Sequence, residues 1–411
     1  MMKYKILYPF IILFAICIIW VCYFFLMKKD VNNNPTVNQV ENNEKIVELS
    51  SDEIENLLNT MTLDEKIGQM LIVKVKGYSY SGDLKTLFNT IHPGGFILFG
   101  NNINTFEQTK TLIKDVKSNS RIPMIVAMDE EGGDVQKLLT IKDKKILSIP
   151  NMYDVGLTGD ETIAYNIGTA IAKELKTIGV NVTNAPVLDI YSNPDNTVIG
   201  KRSFGTTPQL VSRMGMSIAK GLMDSGIMPV YKHFPGHGDT SVDSHDNIPY
   251  ITKTYNEIKN FELIPFIDAI NNNAQMIMVG HLAFPNITDN IPSSLSKTMI
   301  TNILKSDLNY NGLVMTDALD MGALIKNYDN ETIIKMAIDA GVDLLLMPKD
   351  NYVAFNYIKE NVSEQRINES VYKILKFKKM YLKDYELLDE SYLNNDEIKE
   401  IISNVYSNQN N

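Results

Sequence analysis

Past residue 22 the sequence has no cysteine: its two thiols, Cys17 and Cys22, both fall in an apolar run near the start. The rest of the chain is thereby barred from disulfides, thiolate zinc sites and cysteine-nucleophile chemistry. Tryptophan is as scarce. The only one, Trp20, lies in the same run, so any ring-stacking surface elsewhere has only Tyr and Phe to draw on, which favours a small pocket over a long polymer cleft. There is no basic stripe, and a formal net charge of -10 argues against a nucleic-acid partner, which needs clustered cations to displace counterions. The acidity reads as solubility. A Gly-x-Ser-x-Gly elbow is also missing, which removes the commonest serine-hydrolase arrangement.

What is present bounds the architecture. A hydrophobic content of 44% with 21% charged residues suits a globular chain with a sizeable core, and 411 residues allow two average domains or one large α/β barrel. From Ile6 to Met27 no residue is charged, which is enough to cross a bilayer, a task for roughly 20 apolar residues. Lys3 and Lys5 precede this run and Lys28 and Lys29 follow it, so flanking charge does not orient it, and no small-x-small cleavage site follows. Residues 1–29 are expected to form an uncleaved single-pass membrane anchor, with a cleaved signal peptide as the alternative and the remainder outside the cytoplasm. Residues 30–50 read as a flexible spacer, 51–385 as one folded domain, and 386–411 as an acidic, Asn-rich tail with a short helix near Asp396 to Val405. A monomer is expected.

The folded part opens with a helix near Asp52 to Asn59 and a capping-box pattern over Thr62 to Glu65. Short β-like runs then recur: Gln69–Val75, Gly95–Phe99, Met124–Met128, Val180–Pro186, Met228–Tyr231, Gln275–Val279, Leu313–Thr316 and Val342–Met347. Helical stretches separate most of them, such as Glu161–Ile178 ending at Gly179, Pro208–Ser225 capped by Thr207, and one opening at Thr254. Strands alternating with helices imply a parallel sheet, and eight strands close a (β/α)8 barrel of TIM type; an open doubly wound sheet is the rival. Asp129, Asp189, Lys232 with His233, His281, Asp317 and Lys349 each follow a run. Reactive side chains at the carboxyl ends of most strands converge only if those strands form a ring.

The densest chemistry lies between Lys232 and His245, where fourteen residues hold three of the five histidines, a lysine and two aspartates. Such crowding suits a site whose groups need shifted pKa values. In an extended segment Asp243 and His245 project to the same side, so the carboxylate can fix the imidazole tautomer and leave the other ring nitrogen to donate and accept a proton. A structural His-Asp pair is the plainer alternative. His233, His237 and His245 could instead hold a metal, although Pro235 and Gly236 make a helical His grip unfavourable. The sequence Pro235 to Gly238 lacks the Gly-Lys-Ser/Thr ending of a phosphate cradle, and its glycines fit a sharp turn beside a ligand. Asp317 directly follows an apolar run, where a barrel places a nucleophile, though it could equally cap a helix; Asp320 has the weaker claim. A nucleophilic carboxylate plus a separate proton donor is what retaining glycoside hydrolysis requires.

At this point the residues resemble a known family. Lys232 to His245 is similar to the Lys-His-Phe-Pro-Gly-His-Gly-x-x-x-x-Asp-Ser-His signature of the β-N-acetylglucosaminidases in glycoside hydrolase family 3. Further matches run in the family's order: Met61 to Met70, Asp129-Glu-Glu-Gly-Gly133, Asn184 to Asp189, Ile199 to Gly205, Thr316-Asp317, and a helix from Arg366 to Leu375. The resemblance implies a (β/α)8 barrel without the family's second α/β domain, and no cofactor or metal. It implies that Asp317 is the nucleophile, His245 the acid/base and Asp243 its dyad partner. By the same likeness Asp129, Arg202, Lys232 and His233 hold the hydroxyls of the terminal sugar.

Three positions depart from the pattern. Glu130 stands where the family has Gln, Lys137 where it ends in Arg, and Asp134 adds an acid. Lys137 cannot supply a bidentate fork. The expected activity is removal of terminal β-linked N-acetylhexosamine, from peptidoglycan fragments or related amino sugars. A phosphorylase using the same dyad, a non-catalytic sugar-binding barrel and a metallohydrolase are the alternatives.

Overall fold

The computed structural model describes residues 51–240, 243–244, 247–288, 290–383, 385–393 and 396–407. All of these belong to one compact unit. The expected anchor and spacer lie outside the described residues; among the latter, no helix is long and apolar enough to cross a membrane.

The core strands are β1 (Leu71–Lys74), β2 (Gly95–Leu98), β3 (Ile125–Met128), β4 (Val182–Thr183), β5 (Met228–Pro229 continuing as Tyr231–Phe234), β6 (Met276–Val279), β7 (Leu313–Thr316) and β8 (Leu345–Leu346). They form a curled parallel sheet in two hydrogen-bonded sections: β8-β1-β2-β3-β4-β5 and β5-β6-β7. Bridges from Val187 to Lys232 and from Met315 to Leu344 link the sections further. At the second bridge the Thr316 N–H donates to Leu344 O at 3.0 Å and the Leu344 N–H to Val314 O at 3.0 Å. β2, β3, β6 and β7 are buried along their whole length. This explains why they read as near-continuous apolar runs rather than alternating ones.

Local signals set the helices. Thr62 and Glu65 form a reciprocal capping box, as do Thr254 and Glu257. The helix Glu161–Ile178 is capped by the Asp160 carboxylate and ends at Gly179, whose φ of 102° only glycine adopts freely. Its Ile167, Ile171 and Leu175 are buried, as are Val211, Met214, Ile218 and Leu222 of the helix Pro208–Asp224. Thr207 stands at the N-cap of that second helix, but its side chain makes no capping hydrogen bond.

The chain's end closes over its beginning. Lys378, on the helix Glu364–Tyr381, is buried, and its ammonium donates to Gln69 Oε1 and Gly94 O, both at 2.6 Å, just ahead of β1 and β2. Burial pushes Lys378 down to about 7. The segment read as an acidic tail packs against the body, with Ile398, Ile402 and Val405 of the helix Asp396–Ser407 buried; just ahead of it the Tyr385 hydroxyl donates to Val180 O at 2.6 Å.

Candidate active site

Side chains from the carboxyl ends of all eight strands or the loops after them line one cavity of about 420 Å3: Lys74 in β1, Ile97 in β2, Asp129 and Glu131 after β3, Asn184 after β4, Lys232 and His233 in β5, Met278 in β6, Asp317 after β7, Leu346 in β8. Arg202 and His237 reach it from longer loops. The volume lies in the range of small-ligand sites, roughly 300–1,000 Å3.

Glu131 organises the cationic wall. Arg202 grips it with two bonds, Nε to Oε2 at 2.7 Å and Nη2 to Oε1 at 2.8 Å, and Lys232 Nζ lies 2.5 Å from Oε1. Burial opposes ionisation of Glu131, but Arg202 and Lys232 outweigh it and hold the carboxyl far below its usual range. Burial likewise opposes protonation of Lys232, and Glu131 with Asp129 overcomes it. Asp129 is more open, with 21% of its side chain exposed against 2% for Glu131, so its carboxylate is the more accessible of the two from the cavity. Asn184 Nδ2 donates to Asp129 Oδ1 at 3.0 Å and orients it, with Lys232 Nζ at 3.4 Å from the same oxygen. Arg202 spends three of its donors on Glu131 and on Val198 O. A guanidinium has five, so two are left for a ligand.

A second acid, Asp189, holds the histidines. Its Oδ1 accepts the backbone N–H of His233 at 3.2 Å and of His237 at 2.6 Å, and its Oδ2 lies 2.6 Å from His233 Nδ1. Burial works against the Asp189 anion, but His233 and His237 hold its carboxyl below the ordinary value. With Asp189 ionised, Nδ1 of His233 carries the hydrogen in that contact, which fixes the ring with Nε2 turned away from the acid. His237 is locked between Thr240 Oγ1 at 3.1 Å and Ser244 Oγ at 3.2 Å; burial pulls its pKa down to about 4, which keeps it neutral at pH 7. The turn reads as its glycines suggest. Gly236 has φ 128°, and a Cβ on Gly238 would lie 1.6 Å from Ile190 O.

Asp317 is half-buried at the end of β7. Burial raises the cost of its charge, yet His233, His281, the Ala318 N–H and Lys232 together hold it below the ordinary carboxylate value. That N–H donates to its Oδ1 at 2.7 Å. The next helix begins only at Gly322, with Met321 in the capping position, so Asp317 caps no helix. His281 bridges Ser294 Oγ at 2.7 Å and Ala318 O at 2.9 Å, which fixes the peptide behind Asp317. Asp320 sits at the rim with its carboxylate 3.6 Å from Lys74 Nζ. Asp243 is half-buried, and its carbonyl accepts the Asn247 N–H at 3.0 Å. His245 lies outside the described residues.

Of the residues singled out from the sequence, Asp129, Arg202, Lys232, His233 and Asp317 line this one cavity. Glu131 and Asn184 were not singled out as site residues, and Asp189 was placed among the reactive side chains at strand ends without a role. Period-two alternation carried the signal for Glu131: in an extended Asp129-Glu130-Glu131 the first and third side chains face one way and the second the other.

The glycosyl hydrolase family 3 N-terminal domain matches residues 62–377. The chain belongs to glycosyl hydrolase family 3. Family 3 relatives similar to it include a beta-hexosaminidase A from Pseudoalteromonas piscicida, 32% identical over 325 residues that make up 70% of this chain and 54% of that protein. A beta-hexosaminidase from Idiomarina loihiensis is 30% identical over 308 residues, 72% of this chain and 91% of the other. The structure of a family 3 beta-N-acetylglucosaminidase from Paenibacillus sp. str. FPU-7 superposes with a TM-score of 0.77 at 31% identity, covering 84% of this chain and 68% of that one. This chain thus spans about half of the first relative and most of the second.

The departure at Glu130 has a physical account. Its side chain is buried, and its Oε2 accepts the Leu138 N–H at 3.0 Å. Burial pushes Glu130 up to about 8, so at neutral pH it is a neutral acid, as an amide would be neutral. A raised carboxyl pKa gives stability that is full below the ordinary carboxyl range and is lost as pH rises through the folded value. Glu130→Gln should therefore gain stability over the wild type by about 1.4 kcal/mol per pH unit as pH rises from the ordinary carboxyl range to about 8, and no further above that. Urea unfolding at pH 6 and pH 9 measures this, and an equal difference at both would contradict it.

Proposed function

We propose that this chain is a retaining exo-β-N-acetylhexosaminidase, acting on amino-sugar fragments of the cell wall. The observation that carries the reading is Asp317, a half-buried anion facing a cavity walled by hydrogen-bond donors, in a chain of this family. Asp129, Arg202, Lys232 and His233 bind the hydroxyls of the terminal sugar. An Asp317 oxygen attacks the anomeric carbon as the bond to the leaving oxygen breaks, and His245 gives that oxygen its proton. The neutral imidazole then takes a proton from water, whose oxygen displaces Asp317 and releases the sugar with its configuration retained. Asp243 orients His245. Bringing these strand ends around one cavity suits a closed (β/α)8 ring. The run Ile6–Met27 fits a membrane anchor that leaves a monomeric catalytic domain outside the cytoplasm.

The test is a nitrophenyl-glycoside panel with and without phosphate. Faster release from the β-N-acetylglucosaminide than from the β-glucoside is the expected result, and a reversed preference overturns the amino-sugar assignment. Formation of sugar 1-phosphate would make the protein a phosphorylase, activity lost to a chelator would make it a metalloenzyme, and no activity on any amino sugar would leave a binding protein. His245→Ala should lose far more activity on poor leaving groups than on nitrophenol, since acid assistance counts most where departure is hardest. Equal losses on both would remove His245 from that role.

A further inference from the structure

A second cavity, of about 680 Å3, opens beside the first. Lys74, at the carboxyl end of β1, lines both. Leu346 and Met347 of β8 wall the active-site side, and Asn351 and Tyr352, further along the same connection, wall the other. Because β1 and β8 are hydrogen-bonded neighbours, the loops leaving them run side by side, and the groove they bound adjoins the first cavity at Lys74.

The groove is furnished for saccharides. Tyr78 and Tyr352 line it with 52% and 42% of their surface exposed, among hydroxyl and carboxylate groups of Ser79, Ser81 and Asp83. With no tryptophan beyond residue 20, tyrosine is one of the two ring types this surface could use for stacking. The loop bearing Tyr78 is pinned in advance: Asn102 Nδ2 donates to Val75 O at 2.9 Å and to Gly77 O at 3.3 Å, and Gln108 Nε2 to Tyr78 O at 2.8 Å. Tyr352 stands on the first turn of the helix Asn351–Asn361, its N–H held by Asp350 Oδ1 at 2.9 Å. Both rings are thus offered to solvent from fixed backbone, so little ordering cost remains on binding.

We propose that this groove holds the leaving-group portion of the substrate, an oligosaccharide of β-linked amino sugars stacked on Tyr78 and Tyr352. The terminal sugar then occupies the neighbouring cavity, with Lys74 at the junction. The assignment rests on the glycosidase reading of that cavity.

Two measurements on the full-length chain test it. In Tyr78→Ala/Tyr352→Ala the ratio of kcat/KM for the β-1,4-linked N-acetylglucosamine trimer to that for the nitrophenyl glycoside should fall about tenfold, mostly through KM, the size expected of two lost aromatic contacts. The double Tyr→Phe variant should keep the ratio, because the rings remain. An unchanged ratio in the alanine variant, or an equal fall in the phenylalanine variant, overturns stacking. Calorimetric titration of the trimer into Asp317→Asn with and without the alanine changes separates this assignment from the catalytic one. Should the wild type hydrolyse neither substrate, the catalytic reading fails, while a tenfold weaker Kd on alanine substitution upholds the groove and an unchanged Kd overturns it.

Discussion

Asp317→Asn should cut turnover of the nitrophenyl glycoside on the order of 10⁴-fold or more while leaving the fold intact. The amide keeps the shape of the carboxylate and can still accept the Ala318 N–H that now donates to Oδ1. What it lacks is the anionic lone pair that forms the glycosyl ester, and loss of a nucleophile removes the covalent route altogether. His233, His281 and Lys232 hold the Asp317 carboxyl below its ordinary value in spite of burial. The nucleophile therefore stays ionised across the neutral range, and an acidic limb in the wild-type pH profile belongs to another group. Initial rates with matched thermal melts provide the check. A loss of less than tenfold, with melting unchanged, would show that the reaction proceeds without this carboxylate.

Glu131→Gln should destabilise the protein by about 3–5 kcal/mol, the cost of leaving buried charge without its partner. Two cations depend on this one anion. Side-chain exposure is 4% for Lys232 and 18% for Arg202, so solvent cannot substitute for it. The folded pKa of Glu131 is depressed, so its contribution is full above the ordinary carboxyl range and is lost only as pH falls through the depressed folded value. The deficit of the variant should accordingly persist from neutral pH down to mildly acidic pH. Activity should fall as well, chiefly through KM, because Arg202 and Lys232 would lose the geometry that leaves their spare donors pointing at a ligand. Urea titration at pH 5 and pH 7 measures the first effect. A difference below 1 kcal/mol at both would show that the cations find another anion.

The pattern of strands was legible because burial on both faces writes itself as apolar runs. Leu313–Thr316 appears as read, whereas Val180–Pro186 shortens to Val182–Thr183. There the Asn181 side chain takes over the ladder, accepting the Val126 N–H at 2.8 Å and donating to Met124 O at 2.9 Å. Val342–Met347 contracts to Leu345–Leu346 in the same manner, with Asp343 Oδ2 accepting the Val314 N–H at 3.1 Å. A polar side chain that substitutes for backbone pairing cannot be told from an ordinary surface residue in a linear reading. The same limit hid Glu131 and the role of Asp189. Each serves partners 44 to 101 residues away in the chain, and only folding shows which cation a buried acid meets.

The grip of Lys378 on Gln69 and Gly94 bears on how the protein is made. The bond to Gln69 spans 309 residues, so its two ends leave the ribosome far apart in time. At about 5–20 residues per second the first two strands wait roughly 15–60 s for the helix that covers their amino ends. During that interval Gln69 Oε1 lacks its ammonium partner, and the Gly94 carbonyl has the Ile125 N–H at 3.1 Å but not the charge that completes it. A chain that stops before residue 378 would keep the whole chemistry of the site and still lack the piece that seals its foundation.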